Sequence, residues 1–332
     1  MEIFDRIHEI TSLTSAFMPA QIVLTANRMD LFTRLDGKTL TAQQLAGALG
    51  TDPRATGLLC DALTALGFLE KETAGYRNSA TSAEFLVRGR PYYVGDNLRH
   101  QANSWERWSK LEEAIRSGKA LPKRTDSRAE EAKKTRDFAL AMANIGQLTA
   151  AQVVEGLDLR RVSRMVDIGG GPGTYAMEFA TQNPHLHVTL FDRPEVVAIA
   201  QERIRQAGLE ERVATRPGDC FEDDLGSDYD LAFISNVLHI FGPEQIAVLL
   251  RKVRDALVSH GTLVVKDFFV NEDRTGPVFA AQFALHMLLN TESGTVYTRS
   301  ELNAALEEAG FSWLSSFQVG QHSTVVVAEK ED

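Results

Sequence analysis

Ile3, Ile7 and Ile10 recur at helical spacing and the apolar run MPAQIVLTANRMDLF follows, a pattern that predicts two helices burying their apolar sides against something large. The next stretch, LTAQQLAGALGTDPRATGLLCDALTALGFLEKETAGYRNS, is punctuated by helix signals. Thr41 can cap a short helix, Asp52 with Pro53 can open a second, Gly67 can end it, and the polar EKETAGYR turn suits a two-stranded wing. This is the sequence shape of a winged helix. Residues 117–134 are charged and read as a loop, and the apolar-periodic TRDFALAMANIGQLTAAQVVEGL after them reads as a helical connector.

From residue 164 the pattern changes. MVDIG, HVTLFD, RVATRPGD, YDLAFIS, GTLVVKDFF and STVVVAE read as strands spaced by helical segments, which predicts an α/β domain with a doubly wound, mainly parallel sheet. The expected organisation is a winged-helix domain over 1–100, helical apart from its wing, then a connector over 101–160 and the sheet domain over 161–332.

Composition narrows the function classes. The chain has 332 residues, 44% hydrophobic and 24% charged, an ordinary globular balance that excludes disorder, collagen and coiled coil. Its formal charge of −10, with no evident basic cluster, argues against a nucleic-acid binder. The helix of residues 53–70 offers Arg54 against Asp61 and Glu70, which favours packing or dimerisation over DNA reading. No apolar run reaches the roughly 18 residues of a membrane span, and the opening is acidic and amphipathic, so a soluble cytoplasmic protein is expected. Cys60 and Cys220 stand far apart and support neither a disulfide framework nor a zinc site.

The candidate chemistry clusters at strand ends. Asp167-Ile168-Gly169-Gly170-Gly171-Pro172-Gly173 closes the first strand of the sheet, where glycines let backbone N–H groups approach a nucleotide-like ligand. A nicotinamide loop would carry a third glycine where Thr174 stands. Asp192 ends the second strand, suited to two ribose hydroxyls; Asp219 and Cys220 follow the third, suited to an adenine amino group and ring face. His239 follows the fourth strand, and a neutral imidazole with an ordinary pKa of about 6.5 is the side chain best suited to take a proton. Asp267 ends the neighbouring fifth strand, from which its carboxylate can orient the His239 ring.

Phe279, Phe283, His286, Met287 and Asn290 lie at helical spacing in an apolar segment, and fit either an aromatic-ligand pocket or plain core. Phe138 and Met142 on the connector invite the same two readings. His185 and His187 lack a third ligand and no carboxylate cluster suits magnesium, so no metal is expected.

Together these residues resemble the S-adenosylmethionine-dependent O-methyltransferases of the caffeate and acetylserotonin type, over essentially the whole chain. The resemblance implies a class I Rossmann-like methyltransferase domain behind a winged-helix dimerisation domain, and a homodimer with neither nucleic-acid nor membrane partner. It implies S-adenosylmethionine as cofactor and S-adenosylhomocysteine as product. In that family the glycine loop, here Gly169, Gly170 and Gly171, contacts the methionine part of the cofactor. Asp192 maps to the ribose position, Asp219 and Cys220 to the adenine position, and Ser235 to a cofactor-binding position where plant members carry a lysine. The catalytic histidine falls on His239, and the first of two supporting acidic residues on Asp267.

The chain also departs from that pattern. His239-Ile240-Phe241 stands for the common His-Asp-Trp, Cys220 replaces a methionine, and Gly294-Thr295-Val296-Tyr297-Thr298 lacks the second supporting glutamate. The expected reaction is O-methylation of a small aromatic or polyketide-like specialised metabolite. The alternatives are C- or N-methylation, a non-methylating hydroxylation or pericyclic rearrangement at the bound cofactor, and a ligand-responsive DNA-binding regulator.

Overall fold

The computed structural model describes residues 3–122 and 126–332. The chain divides into two compact units, Met1–Trp105 and Glu106–Asp332. Residues 123–125, inside the expected loop of 117–134, lie outside the described residues.

The first unit holds α1 (Ile3–Ser15), α2 (Phe17–Arg28), α3 (Leu31–Arg34), α4 (Ala42–Leu49), α5 (Pro53–Ala65), the hairpin β1 (Leu69–Glu72) and β2 (Gly75–Asn78), α6 (Ala80–Phe85) and the start of α7 (Gly95–Trp108). Thr41 caps α4 in a capping box with Gln44, and Asp52 caps α5 with Pro53 in its first turn, so two orphan helix ends are closed by the residues that sequence pointed to. Ala26, Phe32, Leu45, Cys60, Leu63, Leu69 and Tyr76 form its core. The two opening helices differ: α2 buries Leu24 and Ala26, whereas α1 has no buried residue.

The second unit opens with α8 (Leu111–Ser117), α9 (Arg128–Gly146) and α10 (Ala150–Glu155). Helix α9 begins inside the segment expected to be a loop, because Ser127 and Glu130 form a capping box that outweighs the charge run. Then follow β3 (Arg164–Ile168), α11 (Thr174–Gln182), β4 (His187–Asp192), α12 (Pro194–Gln206), β5 (Val213–Pro217), β6 (Tyr229–Ser235), α13 (Pro243–Ala256), β7 (Leu257–Asp267), α14 (Val278–Asn290), α15 (Arg299–Glu308), β8 (Phe311–Val319) and β9 (Ser323–Lys330).

The sheet order is β5-β4-β3-β6-β7-β9-β8, parallel from β5 to β7 and antiparallel at β9 and β8. Side chains alternate between two cores. Val166, Ala232 and Ile234 face one, Met165, Leu231 and Phe233 the other, as a sheet covered by helices on both faces requires. The strand order reverses at β3 and β6, so the crevice over their carboxyl ends is where this architecture receives ligands. Edge strand β8 went unread in the sequence; its central positions are exposed and a bulge at Trp313 and Ser315 breaks its alternation.

Candidate active site

The glycine loop is shaped by what surrounds it. Gly169 has φ +69° and a Cβ there would come 2.6 Å from Val237 Cγ2, so the loop is pressed against the turn after β6. Gly171, at φ +55°, is open instead: a Cβ would meet nothing nearer than the Gly169 carbonyl oxygen at 4.0 Å. The loop therefore forms a side-chain-free cradle at the start of α11.

Two acidic residues border this cradle, Asp192 and Asp167, and a third, Asp219, follows the next strand. Asp192 Oδ2 accepts from Gly171 N at 2.8 Å and Oδ1 from Arg193 N at 2.7 Å, which ties the loop to the end of β4. Burial holds its carboxyl above the ordinary range against those hydrogen bonds. Asp167 is buried in β3, and its Oδ2 has no hydrogen-bond partner. Burial first, and then the Asp192 charge, push its carboxyl up to about 7. Asp219 is exposed past β5 and accepts from Phe221 N at 2.8 Å, which fixes its turn. Beside it the Cys220 thiol, half-buried against the core, is pushed up to about 11 chiefly by burial, so it stays a neutral apolar contact at neutral pH.

At the end of β6, Ser235 Oγ donates to Asn236 Oδ1 at 3.3 Å. The chain then turns through Val237 into a single 3-10 turn, Leu238–Ile240, that carries His239. His239 Nδ1 lies 2.6 Å from Asp267 Oδ1 at the end of β7, and both side chains are buried. Asp267 Oδ1 also accepts from Phe268 N at 2.8 Å. A carboxylate accepts, so the hydrogen sits on Nδ1 and the lone pair on Nε2, which has no hydrogen-bond partner among the described residues. The ring is walled by Phe283, edge-on at 5.0 Å, and by Phe268, stacked at 6.0 Å.

Helix α14 divides its candidates. Phe283 stacks on His286 at 5.4 Å, and His286 Nδ1 accepts from Trp108 Nε1 at 3.2 Å, which extends an aromatic wall away from His239. Phe279 packs on Phe268 at 5.0 Å and stacks on His322 at 4.2 Å, beside a cavity of about 360 Å³. Asn290 Nδ2 donates to the His286 carbonyl at 2.7 Å, whereas Met287 is buried. On α9, Phe138 is exposed and Met142 half-buried, one turn apart.

Sequence reasoning missed three contributors. Phe268 was hidden in a strand-like run, and Tyr297, whose Oη donates to the Phe241 carbonyl at 2.5 Å, in a segment read only for its missing glutamate. Gly294 was passed over too; a Cβ there would come 2.4 Å from the His239 carbonyl oxygen, so its segment lies directly on the histidine turn. Val296, where a second carboxylate was sought, is fully buried beside Phe268 and Phe283.

This arrangement suits a ligand of mixed polarity, with the open start of α11 for its acceptors and the strand-end carboxyl groups for its donors, and a proton acceptor after β6. Comparisons with known proteins give the family. A family model for the O-methyltransferase domain matches residues 108–312, and one for the O-methyltransferase dimerisation domain matches residues 11–88. The chain is 35% identical to the 3-hydroxy-5-methyl-1-naphthoate 3-O-methyltransferase of Streptomyces sahachiroi, over 91% of this chain and 89% of that protein. It is 32% identical to the tetracenomycin polyketide synthesis 8-O-methyl transferase of Streptomyces glaucescens, over 97% and 96%. Among solved structures it is similar to human N-acetylserotonin methyltransferase in complex with SAM, with a TM-score of 0.89, 26% identity, and coverage of 100% of this chain and 99% of that one.

Proposed function

Because the chain belongs to the O-methyltransferase family, we propose that it methylates a hydroxyl of a small aromatic, polyketide-like metabolite from S-adenosylmethionine, with His239 as general base. The observation that carries this reading is the buried His239–Asp267 pair, whose Nε2 is left unpaired at the carboxyl ends of the strands.

The cofactor fits the residues present. Its ammonium and sulfonium suit the acidic surroundings of the cradle, where Asp167 Oδ2 is buried and unpartnered. Backbone groups of Gly169, Gly170 and Gly171 hold its methionine part in this reading, with Ser235 beside them. Asp192 takes the ribose hydroxyls, and Asp219 and Cys220 the adenine. When bound, S-adenosylmethionine supplies an electrophilic methyl carbon.

The chain's own work is then alignment and proton removal. A phenol with an ordinary pKa of about 10 holds its proton at neutral pH, so an adjacent base is needed to make the oxygen nucleophilic. His239 Nε2 takes that proton, and Asp267 fixes the tautomer and steadies the imidazolium that forms. Phe268, Phe283 and His286 exclude water and provide flat apolar surface for an aromatic acceptor, with Met142, Phe138, Met287 and Asn290 shaping the rest of its surroundings. The exposed apolar side of α1 supports a homodimer through the amino-terminal unit.

Incubation with methyl-labelled S-adenosylmethionine and a panel of hydroxylated naphthoic acids and multi-ring phenols tests the proposal. Label in an ether oxygen's methyl group is the expected result. Val296 in place of a second carboxylate favours one rival, a reaction at the bound cofactor without methyl transfer; that rival predicts a changed product carrying no label.

A further inference from the structure

Lys266 is the penultimate residue of β7 and only 2% exposed, an unusual site for an ammonium group. Among the described residues no carboxylate lies within ion-pair distance of it. Its Nζ instead donates to the neutral side-chain oxygen of Asn236 at 2.6 Å, between the rings of Tyr175 at 5.6 Å and Phe268 at 6.0 Å. Burial holds the amine down, to about 8. A buried, weakly matched ammonium costs free energy that an apolar residue would not, so its position asks for a purpose beyond stability.

Asn236 is held from two sides by the same residue, since its backbone N donates to the Lys266 carbonyl at 2.8 Å. It adopts φ +57°, a left-handed conformation that Asn tolerates better than most residues, and this reverses the chain at the end of β6. Only Val237 and Leu238 separate it from His239. Consecutive residues of a strand point to opposite faces, so Lys266 and Asp267 reach the two ends of one short turn from opposite sides of the sheet. Lys266 pins its start at Asn236, and Asp267 pins its end at His239.

We propose that Lys266 is a positioning residue: through Asn236 it sets the turn that presents the His239 imidazole. This rests on the reading of His239 as general base. Asp267 holds one ring nitrogen, and Phe283 and Phe268 flank the ring, but the backbone that carries His239 keeps the freedom to shift the ring as a whole. A fixed backbone at Asn236 removes that freedom and aims Nε2.

The test compares wild-type protein with Lys266→Met, His239→Gln and the double variant. Methionine keeps the length and apolar stem of lysine and removes the donor. The expected result is a turnover loss of about tenfold for Lys266→Met, with S-adenosylmethionine affinity within about twofold and an unlowered Tm, but no further loss when the change is added to His239→Gln. Equal losses in both backgrounds, a lowered Tm accounting for the loss, or unchanged turnover would each overturn the inference.

A second readout does not use turnover. In the 15N-histidine spectrum the His239 signals, identified among eight histidines by their disappearance in His239→Gln, should shift in Lys266→Met while the others hold. Asn236→Gly, which keeps the left-handed backbone and loses the amide, should shift the same signals and serves if Lys266→Met does not fold. Unmoved His239 signals refute the role of Lys266. Full turnover by His239→Gln instead refutes the general-base reading, and the spectrum then decides the Lys266 inference alone.

Discussion

Asp267 Oδ1 lies 2.6 Å from His239 Nδ1, across two neighbouring strand ends, with both side chains buried. The two residues come together because β6 and β7 pair in parallel register, with Ser235 beside Lys266, so each strand delivers its next residues to the same edge. The pair is a geometric consequence of the topology, and its chemistry follows from which nitrogen the carboxylate occupies.

Replacing Asp267 with Asn keeps the shape and removes the charge. Because the same Oδ1 also accepts from Phe268 N, an amide keeps its oxygen toward Nδ1–H but no longer steadies the imidazolium that a general base becomes. Turnover should fall by roughly 100-fold or more, with S-adenosylmethionine affinity little changed, as steady-state kinetics and calorimetry can check. Full activity would mean that the Asp267 charge is immaterial to turnover.

Gly171→Ala probes the cradle. An alanine at φ +55° costs about 1 kcal/mol of backbone strain, and its methyl would occupy the open side of the loop. A Tm lowered by only a few degrees together with at least about tenfold weaker S-adenosylmethionine binding is expected. Undiminished binding would place the cofactor elsewhere.

Asp167 sets a pH dependence for the ligand-free protein. Its folded carboxyl is pushed from an ordinary 3.8 to about 7, so between those values the native state holds a proton that the unfolded chain has lost. Stability from this group is therefore complete below about pH 4 and is lost as pH rises through 7, by as much as about 4 kcal/mol. Asn cannot ionise, so Asp167→Asn should match wild type near pH 4 and exceed it in Tm at pH 8. Parallel Tm curves across that range would show that Asp167 does not titrate there.

Helix α1 exposes Ile3, Ile7, Ile10 and Leu13, none of which supports the fold of its own chain. Ile7→Asp with Ile10→Asp should therefore leave the circular dichroism spectrum unchanged while sedimentation velocity at micromolar concentration shifts from dimer to monomer. A dimer that persists would move the interface off α1.

Much of this was legible because the signals were local. Thr41, Asp52 and Pro53 announced helix starts with their own side chains, and the buried strands announced themselves as continuous apolar runs. The Asp167 to Gly173 loop and the strand-end residues Asp192, His239 and Asp267 stand out as candidates when strand ends are combined with the topology they imply. What stayed hidden depended on long-range packing. Edge strand β8 is polar and bulged, and the Ser127 and Glu130 cap lay inside a charged run that composition read as loop. Nothing in a strand's alternation announces that Lys266 is buried, or that Gly294 presses on the His239 carbonyl.

The most direct test measures methyl transfer and S-adenosylmethionine binding side by side for wild type and His239→Gln. Binding within about twofold of wild type with turnover reduced by roughly 100-fold or more is the result expected of a lost general base. Turnover equal to wild type would contradict the account, because the proton would then leave the acceptor by a route that does not involve His239.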